Sequence, residues 1–99
     1  MKIESWELLQ FFDEHIQLPD MSYGLLAFSL ETPQIKIEFH LNKVACSAQF
    51  IIDAGVKQLI KLKDIEEIKS DFNDFFVAQS NGGAIKFTKE KELSLFIDI

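Results

Sequence analysis

Only one cysteine, Cys46, occurs in the 99 residues. No disulfide can form within the chain, and a reducing compartment suits it. Histidine is nearly as scarce: His15 and His40 are the only two. No Cys-x-x-Cys or His-Glu-x-x-His pattern is present, so neither metal nor cofactor is expected. Basic residues are outnumbered, with 10 Lys and Arg against 16 Asp and Glu and a formal net charge of −6. The densest lysine group, Lys57, Lys61 and Lys63, is followed at once by Asp64, Glu66 and Glu67. Such a surface repels a phosphate backbone, which argues against nucleic acid as a ligand. Long apolar runs are missing too. Val44 to Ile52 is far short of the roughly 20 residues that span a bilayer. Met1 to Phe12 carries Glu4 and Glu7 and lacks a signal-peptide core. No membrane association is expected, and the expected location is the cytoplasm.

Phenylalanine is abundant: ten residues, against one Tyr and one Trp. Phe has no polar handle, so most of these rings read as core. The chain length fits a single domain over residues 1–99. A domain of this size buries about 60–65% of its unfolded surface, enough to close a Phe, Ile and Leu core without staples.

The periodicity predicts a helix over Ser5 to Gln17. Leu8, Leu9, Phe12 and Ile16 share one face, and Pro19 stops it. Strands are predicted over Gly24 to Leu30, Ile35 to Leu41 and Val44 to Asp53, the last with Cys46, Ala48 and Phe50 inward. Residues 54–62 fit neither pattern well. A second helix is predicted over Asp64 to Gln79. There Ile65, Ile68, Phe72, Phe75, Phe76 and Gln79 line one face, Asp64 and Glu67 resemble a capping box, and Gly82-Gly83 caps the end. Ala84 to Thr88 and Glu92 to Ile99 form a closing hairpin. The expected fold is α+β with the order α-β-β-β-α-β-β: a two-layer arrangement, an antiparallel sheet with both helices packed on one face. Phe39 and Phe72 are expected to be buried. Leu8, Phe12 and Ile16 reappear as Ile68, Phe72 and Phe76 at a shift of 60, a faint echo of duplication.

Nothing in the chain is arranged like a catalytic site. Cys46 reads as a structural thiol. His40 shares a polar strand face with Lys36 and Glu38, which is the strongest acid–base grouping available. His15 reads as a packing residue of the first helix.

Two surfaces remain. Glu67, Asp71 and Asp74 lie on the outer face of the second predicted helix, an acidic ridge that would steer a basic partner. The sheet face away from the helices places Tyr23, Leu25, Ala27, Ile51 and Phe96 beside Lys36, Glu38, His40 and Gln49. Tyr23, Leu25, Ile51 and Phe96 are the expected anchors of a partner or of a homodimer. The leading expectation is a non-enzymatic protein-binding module, such as an immunity protein or antitoxin that blocks a basic toxin. The predicted element order, with Leu8-Leu9-Gln10-Phe11-Phe12 and Leu18-Pro19, resembles the type III secretion chaperones. That resemblance implies an acidic dimer that binds another protein. A small-ligand binder, or an enzyme using His40, is the third reading.

Overall fold

The strand with the cleanest alternation, around Ile37, Phe39 and Leu41, lies at the centre of a sheet. A computed structural model describes residues 5–16, 24–89 and 94–98 of the chain. Its elements are helix α1 (Ser5–Phe11) and strands β1 (Glu14–His15), β2 (Leu25–Glu31), β3 (Lys36–Asn42), β4 (Ser47–Asp53), β5 (Lys57–Leu62), β6 (Ile65–Ser70), β7 (Asp74–Gln79), β8 (Ala84–Thr88) and β9 (Ser94–Asp98). They form two antiparallel meanders, a five-stranded sheet in the order β1-β2-β3-β4-β5 and a four-stranded sheet in the order β6-β7-β8-β9.

The expected two-helix α+β layout is therefore wrong. Among the described residues the structure is mostly β, with one short helix, and the core lies between two sheets. The error sits in residues 64–79, which form the β6–β7 hairpin. Ile65 pairs with Gln79 and Ile68 with Val77, with a bulge between Ile65 and Glu67. The extra residue lets Ile65 and Ile68 both turn toward the core, which copies the i, i+3 spacing of a helix. Asp71 then makes the turn: its carboxylate accepts the backbone N–H groups of Asn73 (2.8 Å) and Asp74 (2.7 Å). Beyond it Phe75, Val77 and Gln79 alternate inward. Phe72, expected in the core, is 71% exposed at the tip of this hairpin. Asp64 is no helix cap but a turn residue with φ +52°, and Gly82 (φ +95°) belongs to the β7–β8 turn. The proposed duplication falls with the second helix, and so does the element order behind the chaperone resemblance.

Smaller corrections follow from backbone pairing. Helix α1 ends at Phe11 rather than Gln17, because the edge of β2 captures the chain: Asp13 N–H donates to the Ser29 carbonyl (2.9 Å) and Ile16 N–H to that of Ala27 (2.8 Å). Pro19, the expected stop, lies outside the described residues. The Lys89 ammonium donates to the Phe11 carbonyl and lies 4.4 Å from the Phe11 ring centroid, which secures the helix C-terminus. Residues 57–62, ambiguous in sequence, pair along β4. Cys46 precedes β4 in a turn, half-buried with φ +51°, and does not point inward from a strand.

The inner face of the larger sheet carries cross-strand rows. Phe28, Phe39 and Phe50 make the middle row, continued by Ile60. Leu26, Leu41, Ala48 and Leu62 make the next, toward one end of the strands. Phe39 and Phe50 meet Phe75 of the other sheet at centroid distances of 5.0 and 6.0 Å. Helix α1 inserts Phe12 against Phe39 (5.7 Å) and Phe11 against Phe75 (5.6 Å). Rings from the helix and both sheets thus form one fully buried cluster.

Candidate functional site

The strand ends create two dissimilar surfaces. At the first, α1 lies against the end of β6, where the Ser70 hydroxyl donates to the Glu7 carbonyl (2.8 Å). Helical spacing turns Leu8, Phe11 and Phe12 to the core and leaves Trp6 and Leu9, three residues apart, on the outside. Trp6 is 61% exposed and Leu9 42%. The Ser70–Glu7 bond brings the tip of the β6–β7 hairpin, with Phe72, to this same end. Asp71 sits beside Phe72, its carboxylate held below the ordinary range by the N–H groups of Asp74 and Asn73, with a small contribution from Lys86. Asp74 accepts a hydrogen bond from the Thr88 hydroxyl (2.6 Å). Phe72 thus lies between two acidic residues of the hairpin tip, Asp71 and Asp74.

The second surface lies at the opposite strand ends. The chain enters β2 through Gly24, at φ +81°, where a Cβ would stand 2.7 Å from Cγ2 of Val44. Beyond this turn opens a pocket of about 790 Å³. Leu26, Leu41, Ala48 and Leu62 supply its apolar lining, His40, Lys61 and Lys63 its ionisable groups, and Gln79 of β7 a polar one. Gln79 is only 6% exposed. Its Oε1 accepts the Lys63 backbone N–H (3.2 Å), while its Nε2 is buried with no hydrogen-bond partner. An unpaired buried donor of this kind costs about 1–3 kcal/mol.

The residues singled out in the sequence divide between these surfaces. Leu25 is exposed and lines the pocket rather than a flat anchor patch. Ile51 is half-buried on the outer sheet face, between Glu38 and Leu59 on the neighbouring strands. Tyr23 and the side chain of Phe96 lie outside the described residues; the backbone of Phe96 is opposite Lys86. Glu67, Asp71 and Asp74 share no helix face. Glu67 is in β6 and pairs with Lys69 (3.0 Å), whereas Asp71 and Asp74 flank the hairpin tip. His15 stacks on Phe28 at 4.9 Å. His40 Nε2 is 3.4 Å from the Glu38 carboxylate, and Lys36 Nζ is 3.8 Å from it on the other side. These are partly exposed pairs along one strand, an arrangement worth little energetically.

The exposed Trp6, Leu9 and Phe72 were hidden by the two-helix expectation. The Asp-Phe-Asn-Asp run at 71–74 was the available turn signal. The pocket combines two sheets, and no local pattern announces it. Among the described residues, no group of three or more His, Cys, Asp or Glu is placed to hold a metal ion. No helix among them is long and apolar enough to cross a membrane. Comparison with family models, with curated proteins and with solved structures finds no match.

Proposed function

We propose that this domain works by binding another protein, through the face where α1 meets the β6–β7 hairpin. The observation that carries this reading is the exposure of Trp6, Leu9 and Phe72 at one end of the molecule. Single exposed apolar residues are ordinary, but a large aromatic pair at one end resembles the anchors that dominate protein interfaces. Asp71 and Asp74 beside them, in a chain of net charge −6, favour a partner with Lys or Arg around its receiving pocket. A second copy of this chain would set acidic rim against acidic rim, so a different, basic protein is the better fit. An inhibitor that masks a basic protein is one form such binding takes. The function is binding rather than catalysis.

The test compares proteins captured from the source cell by the wild type, by the double variant Trp6→Ala/Phe72→Ala and by Val56→Ala. Val56 is exposed on the β4–β5 hairpin and is no part of the proposed face. A specific partner should be retained by the wild type and Val56→Ala and lost from the double variant. Each anchor should contribute at least about 1–2 kcal/mol to affinity. Equal capture by a folded double variant would reject the face.

A further inference from the structure

The pocket at the other end shares no described lining residue with the partner face. We propose that it binds a small carboxylate with an apolar tail, of the medium-chain fatty acid class. Its volume, about 790 Å³, lies within the usual range for small-molecule sites. The body of such a ligand would rest on Leu26, Leu41 and Leu62, whose row faces the pocket. Its oxygens have a waiting donor in Gln79. The Oε1 of that amide is already held by the Lys63 N–H, so Nε2 is fixed in orientation and needs an acceptor.

The charge of the lining points the same way. Although the chain carries 16 acidic against 10 basic residues, no Asp or Glu is among the described lining residues. The ionisable groups among the described lining residues are Lys61, Lys63 and His40. Asp64 follows Lys63 directly and is not among those lining residues. In a protein of net negative charge, that segregation selects an anion over a cation at this one place. Lys61 lies on β5 opposite Gln49, and Lys63 just beyond β5, so two lysines border the pocket at this strand end. A carboxylate held at the Gln79 amide would leave its tail on the leucine row.

The experiment is a nitrogen–proton NMR titration of the whole chain with decanoate below its micellar concentration, repeated with decyltrimethylammonium and decanol. Decanoate should give saturable shifts at the amides of Leu41, Ala48, Leu62 and Gln79, and move the side-chain NH₂ resonances of Gln79. The other two probes should bind at least tenfold more weakly. Lys61→Glu, a change on an exposed side chain, should weaken decanoate at least fivefold, and Gln79→Leu should do the same. Where Gln79→Leu fails to fold, the wild-type NH₂ resonances and Lys61→Glu carry the test. Absence of saturable shifts, equal binding of the cationic or neutral probe, or an unchanged Lys61→Glu affinity would overturn the proposal.

Discussion

The two ends of this molecule are closed by different means. At the helix end, Phe11 and Phe12 fill the space between sheets against Phe39, Phe75 and Phe87, all fully buried. At the other end the facing row is Leu26, Leu41, Ala48 and Leu62, with Gln79 across from it. Side chains shrink from Phe to Leu and Ala along the strands, and no helix among the described residues covers the second end. Rings stacked to the density of an organic crystal leave no room. Smaller side chains at the same sheet spacing leave a pocket. The closed end therefore offers a rigid platform for exposed aromatics, and the open end offers volume.

The sharpest way to break this contrast is to remove a ring. Phe75→Ala should cost about 3–5 kcal/mol in urea unfolding, the usual range for a buried Phe. A loss below about 1 kcal/mol would mean the ring cluster is loosely packed. The opposite change probes the open end. Ala48→Leu adds bulk at a residue lining the pocket and should cost less than about 1 kcal/mol, whereas overpacking a closed core costs about 1–3. A cost in that higher range would show that the second end is as tightly filled as the first.

Phe72→Ala separates surface from core at the hairpin tip. It should change stability by no more than about 0.5 kcal/mol, as exposed substitutions do, while weakening partner binding. The smallest effect is electrostatic. The folded Asp71 carboxylate has a depressed pKa, first from the Asp74 N–H and then from that of Asn73, with Lys86 minor and desolvation opposing. A depressed carboxylate stabilises fully above its unfolded pKa, and that contribution is lost as pH falls through the folded value. The stability gap between wild type and Asp71→Asn should therefore be constant near neutrality. It should shrink below about pH 4, as followed by denaturant midpoints. A gap that persists at lower pH would assign the effect to hydrogen-bond geometry alone.

Much of the larger sheet was legible in the sequence. Ile35 to Leu41 alternates without interruption, and the strand observed there, Lys36–Asn42, is offset by one residue. The hairpin at Ala84–Thr88 was also readable, because Ile85 and Phe87 alternate with Lys86. The β6–β7 half of the smaller sheet was not, because a single bulge at Glu66 breaks the period of two and leaves a helix-like spacing in its place. That one residue displaced Phe72 from tip to core and turned Asp71 and Asp74 from a hairpin rim into a helix ridge. The short helix was overestimated for a different reason. Ile16 continues the apolar stripe, but its N–H finds a carbonyl on β2, and tertiary pairing outweighs helical periodicity. Of the expected partner residues, the acidic Asp71 and Asp74 lie beside the proposed face. The apolar anchors Leu25 and Ile51 do not.

Both proposed surfaces rest on β6–β7 being a hairpin, because it carries Phe72 to one end and Gln79 to the other. The most direct test is solution NMR of residues 64–79. The account predicts cross-strand contacts between Ile68 and Val77 and between Ser70 and Phe75, with large amide–Hα couplings through Phe75, Val77 and Gln79. A continuous run of helical i, i+3 contacts from Ile65 through Phe76 would contradict it and remove the physical basis of both surfaces.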